Sequence, residues 1–206
     1  MRLVLASSSP ARRATLTAAG LPFEVVVSEV DEDAVGAAAG PLGVAELTQV
    51  LADAKAAAVV ARVQGDAVVL GCDSLLDLDG AALGKPHSDD AVVERWAALA
   101  GRTGALHTGH CLHRLVDGVS VATARAVAST SVRFGTPTPA EVAAYVVSGE
   151  PQQVAGGFTI DGLGGWFVEG IDGDHHTVVG LSLPVFRRLL HEVEVGLLDL
   201  GWPSPV

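Results

Sequence analysis

LVLASSSPARR, Leu3 to Arg13, opens on an apolar strand, passes through Ser7, Ser8 and Ser9, and enters a helix at Pro10. Ser9 is a good N-cap, and proline is tolerated at the first helical position because its missing N–H has no intrahelical acceptor there. The junction leaves backbone N–H groups aimed at the loop, with the positive end of the helix dipole behind them. Arg12 and Arg13 add fixed cationic donors suited to phosphate oxygens. The segment therefore reads as an anion site or, if its arginines are only solvated, as an ordinary strand–turn–helix.

Outward from that junction, the helix over 10–19 stops at Gly20, and Phe23–Val27 alternates as a strand. VDEDAV, residues 30–35, reads as an acidic loop, and Val44–Val63 carries apolar residues at the spacing of a long helix. Ala67–Cys72 is an apolar strand predicted to end at Asp73; DLDG, 77–80, then turns into a short strand closed by Gly84-Lys85-Pro86. Ser88–Leu99 is a helix capped by Ser88, and Leu106–Leu115 and Val119–Phe134 form an antiparallel pair joined at Asp117-Gly118. Pro139–Val147 and Leu183–Val193 are helices, separated by a glycine-broken stretch over 156–180 and followed by an apolar tail that docks on the body or on a partner. Early alternation with antiparallel pairing in the middle predicts a mixed α/β sheet, in one domain over 1–206.

With 206 residues, 49% of them hydrophobic, the chain can bury a substantial core. A net charge of −11 argues against a nucleic-acid binder, but a small phosphorylated ligand needs only a local basic cluster. No apolar run is long enough to span a bilayer, and the N-terminal strand is too short for a signal sequence. Cys72 and Cys111 suit a reducing compartment, so a cytoplasmic protein is expected. Every fixed positive side chain is arginine except Lys55 and Lys85. In a composition that favours arginine, a surviving lysine suggests a task for a compact, flexible ammonium, such as reaching a phosphate; the other reading is chance survival.

Asp73 emerges from an apolar strand, a favoured place for a functional carboxylate in open α/β sheets, or else it is a turn aspartate before Ser74. Glu32 also follows a strand, between Asp31 and Asp33, and reads either as a second site carboxylate or as part of a solvated loop. Two carboxylates beside a phosphate site would repel the ligand, and a divalent cation, Mg²⁺ or Mn²⁺, resolves the conflict. Neither a P-loop nor a dinucleotide fingerprint is present. In HTGHCLH, His110 points to the opposite strand face from His107 and His113, which argues against zinc. His175-His176 reads as solvated and Cys72 as core. The serines lack a nucleophile-elbow context and read as phosphate ligands.

LASSSPARR, VDED, LADAKA, CDSLL, GKP, ALAGRTGALHTG, SGEPQQVAGGFTIDGLGGWFVEGIDGD and VVGLSLP together resemble, in order, the Maf (septum-formation inhibitor) family of nucleotide pyrophosphatases. The resemblance spans essentially the whole chain. It implies an elongated α/β fold with a mixed, curved sheet, two lobes and a cleft between them, and assembly as a homodimer. It implies the reaction NTP + H₂O → NMP + pyrophosphate, with Ser7, Ser9 and Arg12 on phosphate and Arg13 assisting. Glu32, Lys55 and Lys85 would line the site, a metal would bridge the triphosphate to Glu32 and Asp73, and Asp73 would be proton acceptor, metal ligand or both. Removal of non-standard nucleotides and a link to division arrest follow from the same resemblance; a nucleotide-binding division regulator without turnover is the alternative. Two departures stand out: Ala11 precedes Arg12 where many relatives have paired arginines directly after the proline, and GGFTIDG replaces AGAYGIQG. Asp161 thus stands where pyrimidine-selective relatives carry glutamine and is the candidate for base recognition, with guanine-like or amino-bearing bases as its natural complement.

Overall fold

β1 (Arg2–Leu5) pairs in parallel with β2 (Glu24–Val25) on one side and with the first third of β3 (Ala67–Leu78) on the other. The computed structural model describes residues 1–203. β4 (Ala81–Leu83) folds back on the end of β3, and β5 (Thr103–Val116), β6 (Val119–Phe134) and β7 (Val168–Asp172) add antiparallel strands. The order is β2-β1-β3-β5-β6-β7. β1 and β4 share one edge of β3: β1 pairs with residues 67–70 and β4 with 76–78. Between them, at 71–75, that edge has no strand partner among the described residues, and the sheet is split there.

The hairpin turns follow from their Asp-Gly pairs, because a tight two-residue turn needs positive φ at both central positions. Asp79 and Gly80 have φ of 55° and 85°, and Asp117 and Gly118 have 51° and 80°.

The helices are α1 (Pro10–Ala18), α2 (Glu32–Ala39), α3 (Val44–Val60), α4 (Asp89–Leu99), α5 (Pro139–Val147), α6 (His175–Val179) and α7 (Leu183–Glu192). α3 lies so close on β3 and β5 that side chains are excluded at two crossings. A Cβ on Gly71 would sit 2.5 Å from the Ala52 carbonyl oxygen, and one on Gly109 2.5 Å from that of Thr48. On the opposite face, Leu70, Cys72 and Leu112 pack with Leu16 of α1 and Phe186, Leu189 and Leu190 of α7. A second core lies beyond the split, where Leu76, Leu106 and Phe134 meet Trp96 of α4 and Tyr145 of α5. Its aromatic rings pack edge to face, with centroids 5.9 Å apart for Trp96–Phe134 and 4.9 Å for Phe134–Phe158. The long strands connect the two cores, and the split in the sheet opens between them.

The fold class expected from sequence is the one observed, with local differences. β3 does not end at Asp73 but runs on to Leu78, because β5 pairs with it continuously from Ala67 to Asp77. Asp73 is therefore a mid-strand residue. The predicted acidic loop is instead the start of α2: Asp31 caps it, accepting from the Ala34 N–H at 3.0 Å, and Glu32 and Asp33 occupy the first turn, where the helix dipole favours carboxylates. Strand 23–27 shortens to β2, and helix 44–63 ends at Val60. The tail docks on the body as far as it is described: Leu200 is buried in the first core, and the Trp202 indole donates to the Ala19 carbonyl at 2.8 Å. Among the described residues no cluster of three or more His, Cys, Asp or Glu could hold a metal ion, and no helix is long and apolar enough to cross a membrane.

Candidate active site

A cleft of about 840 Å³ opens where the sheet splits. Alternation along β3 sends Asp73 to the α3 face and Ser74 to the other. Beyond the end of β1, both faces reach the same cavity, which is lined by Asp73 and Ser74 together.

On the α3 face, the Lys55 ammonium lies 2.5 Å from Asp73 Oδ1 and 2.7 Å from Glu32 Oε1. Lys55 and Asp73 are only 8% and 4% exposed, whereas Glu32 reaches in from the first turn of α2 with about half its side chain in solvent. Among the described residues the other Asp73 oxygen, Oδ2, is buried without a hydrogen-bond partner. Burial pushes the Asp73 carboxyl above the ordinary carboxylate range, and the Lys55 and Arg12 charges offset only part of that. A buried carboxylate with one oxygen fixed and one free has the character of a proton acceptor or a metal ligand.

On the other face, Arg12 is held by three hydrogen bonds. Its Nε donates to the Gly180 carbonyl at 2.7 Å, Nη1 to Ser7 Oγ at 3.1 Å and Nη2 to Ser74 Oγ at 3.0 Å. Thr108 Oγ1 donates to the Thr177 carbonyl at 2.8 Å, so its single proton is committed. Ser74, 2.9 Å from Thr108 Oγ1, must therefore donate to it while accepting from Arg12. Gly180 adopts φ 112°, a conformation that favours glycine and in which its carbonyl accepts from Arg12 Nε.

His110 supports this arrangement from behind. Its Nε2 accepts from the Ser182 N–H at 3.0 Å, which requires the proton to be on Nδ1, 3.3 Å from the Ala126 carbonyl. Burial lowers its pKa to about 4, with the Arg12 charge acting in the same direction. It is a neutral structural acceptor. Burial likewise pushes the Cys72 thiol up to about 12, consistent with a core residue.

Of the residues singled out in the sequence, Ser7, Ser9, Arg12, Glu32, Lys55, Asp73, Lys85 and Asp161 all line the cleft. The Ser9 hydroxyl is engaged in capping α1, accepting from the Arg12 N–H at 3.4 Å. Lys85 and Asp161 are exposed, and among the described residues neither forms an ion pair. Arg13 is exposed on α1 and is not among the residues lining the cleft. Ser74 escaped the sequence reading because the strand was taken to end at Asp73, which left no reason to place the next side chain in the site. Lys55 had a further signal there: it falls within the buried stripe Thr48, Leu51, Ala52, Ala56 and Val59, and a charge in such a stripe calls for a partner.

The chain matches the family model described as Maf-like protein over residues 2–193. It is similar to a nucleoside triphosphate pyrophosphatase of Nocardia farcinica, 54% identical over 207 residues that cover 98% of this chain and 97% of the relative. It is also similar to one of Streptomyces avermitilis, 55% identical over 204 residues, or 98% and 95% of the two chains. A third, from Saccharopolyspora erythraea, is 51% identical over 210 residues, 100% of this chain and 99% of the relative. With this match and these identities along its length, the chain belongs to the Maf-like protein family.

Proposed function

We propose that the cleft hydrolyses nucleoside triphosphates to nucleoside monophosphate and pyrophosphate. The observation that carries this reading is the buried, unpartnered Oδ2 of Asp73 on an open cavity that also holds Arg12 and Lys55. Water attacks the α-phosphorus, a new P–O bond forms, and the bond to the bridging oxygen of the leaving pyrophosphate breaks. Asp73 takes the water's proton through Oδ2 while Lys55 fixes Oδ1. Arg12, already locked in orientation, presents its charge to the phosphates at little further entropic cost, and Lys85 reaches them from the rim. Ser7, Ser9 and the α1 N-terminus supply neutral donors.

The donor set fits Mg²⁺ or Mn²⁺: two hard carboxylates, Asp73 with a free oxygen and Glu32 half in solvent, suit an ion held by one or two carboxylates and substrate phosphates. When bound, such an ion neutralises charge on the triphosphate. A regulator without turnover is disfavoured by the same residues, since carboxylates facing phosphates weaken simple binding.

Asp161 reads the base in this proposal. An ionised carboxylate only accepts hydrogen bonds, which suits the adjacent donors of guanine or an amino-bearing modified base better than uracil or thymine. The resemblance also supports a homodimer, and the two unpaired cysteines, Cys72 and Cys111, support a cytoplasmic location; sedimentation and cell fractionation would read these. The deciding assay is a panel of dTTP, UTP, GTP and 7-methyl-GTP with Mg²⁺ or Mn²⁺, scoring pyrophosphate against orthophosphate. Pyrophosphate release is expected, with GTP or its methylated form ahead; orthophosphate alone, or no release, overturns the activity. Asp161→Gln should shift the ranking toward pyrimidines, and an unchanged ranking removes Asp161 from base recognition.

A further inference from the structure

The wall of the cleft that carries Asp161 is a glycine-rich loop without regular structure, running from Phe158 into the short helical turn Leu163–Phe167. Such a segment needs something to hold its shape. Glu150, just beyond the end of α5, does so from behind. Its Oε1 accepts from the Tyr145 hydroxyl at 2.9 Å, the Thr159 hydroxyl at 2.5 Å and the Gly164 N–H at 3.0 Å, and its Oε2 accepts from the Leu163 N–H at 3.1 Å. The donors are themselves linked: Tyr145 Oη accepts from the Thr159 N–H at 3.2 Å, and Thr159 Oγ1 accepts from the Gly164 N–H at 3.2 Å. The loop closes so tightly on this carboxylate that a Cβ on Gly162 would lie 2.6 Å from Glu150 Oε2, and one on Gly164 2.6 Å from the Tyr145 hydroxyl.

We infer that Glu150 is a positioning residue for nucleobase selectivity: its carboxylate gathers the donors of residues 159–164 and so fixes the turn that presents Thr159, Ile160 and Asp161 to the cleft. This rests on the activity proposed above. Every partner of the carboxylate is a donor, so the site demands an acceptor-only group of this size. Consistently, although burial acts to raise the Glu150 pKa, the hydrogen bonds from Thr159, Leu163, Gly164 and Tyr145 outweigh it and hold the carboxyl below the ordinary range. Glutamine cannot replace it, because one of its two positions becomes an NH₂ facing either one donor or three. Glu150 is on a different element from Asp73, Lys55 and Arg12, so its loss should alter which base is preferred rather than how the phosphate is cleaved.

The test compares wild type with Glu150→Gln and Thr159→Val. It reads kcat and KM for GTP and UTP, calorimetric binding of GMP and UMP, and amide exchange across residues 159–164. In both variants the GTP-to-UTP ratio of kcat/KM should move toward one by about fivefold, the effect of losing a hydrogen bond in a partly buried cluster. The change should fall in KM, with kcat within about threefold, and the GMP-to-UMP affinity ratio should follow; loop amides should exchange faster in Glu150→Gln. An unchanged base ratio, or an equal fall in kcat for both nucleotides, overturns the inference and leaves Glu150 a structural residue only. Equal wild-type affinity for GMP and UMP also overturns it. If wild type releases no pyrophosphate, the proposed activity fails instead, and the monophosphate affinities, which need no turnover, decide the role of Glu150 alone.

Discussion

Asp73→Asn separates chemistry from folding in a way the geometry makes quantitative. The amide keeps the carboxylate's shape, and its oxygen can still accept from Lys55, 2.5 Å away. Its NH₂ then occupies the place of Oδ2, which has no hydrogen-bond partner among the described residues. A buried donor left without an acceptor costs about 1–3 kcal/mol. Removing a carboxylate that burial disfavours works in the opposite direction, so the net change should stay within about 2 kcal/mol. For a chain of this size that is a Tm shift of less than about 8 °C. The catalytic loss is larger: removal of a general base lowers the rate by about 10²–10⁴-fold, or roughly 3–5 kcal/mol of barrier. Single-turnover pyrophosphate release beside calorimetric melting reads both quantities on one sample. A folded Asp73→Asn protein with a kcat near wild type would refute the role of Asp73. The wild-type pH profile checks the same group, because a base with a raised pKa loses activity as acid is added before the ordinary aspartate value of 3.8 is reached.

The parts of this fold written in local chemistry were legible. Asp117-Gly118 required a tight hairpin, and the Ser88 cap fixed the start of α4. The length of β3 was not local, because residues 73–77 are held by β5, some thirty residues further on. The acidic run over 31–33 was misjudged for a different reason: its charge suggested a solvated loop, while an aspartate before two acids and an alanine-rich stretch is also the start of a helix. At the site, residue types were readable and directions were not. Arg12 and Arg13 are equivalent as letters, yet neighbours on a helix point about 100° apart, and only Arg12 lines the cleft. The contact of Lys55 with Asp73 depends on α3 crossing β3 at Gly71, where the absent side chain lets the helix approach.

Gly71→Ala should destabilise the fold by about 1–3 kcal/mol and reduce turnover, because its Cβ would meet backbone of the helix that carries Lys55; an unchanged denaturant midpoint would count against that crossing. Arg12→Lys should raise KM for nucleotide by at least about tenfold, since one ammonium cannot serve Gly180, Ser7 and Ser74 at once; unchanged KM would show that the fork is not used. Lys85→Arg should also impair turnover, and full activity would remove the argument from lysine's scarcity. The last expectation concerns acid. His110 has a folded pKa of about 4 against an ordinary 6.5, because it is buried beside the Arg12 charge. Below 6.5 the unfolded chain takes up a proton that the native imidazole refuses, so stability must fall as pH drops, until about 4 is reached. The full loss from this one residue is on the order of 3 kcal/mol. His107 and His113 also have lowered values through burial and add to the slope, so the wild-type curve alone does not isolate His110. His110→Gln does: its amide oxygen can still accept from the Ser182 N–H, but it does not titrate. Urea unfolding between pH 7 and 4.5 should therefore show a lower stability at pH 7 for the variant and a shallower decline toward acid. Parallel curves for the two proteins would mean that His110 is not the buried neutral group this geometry requires.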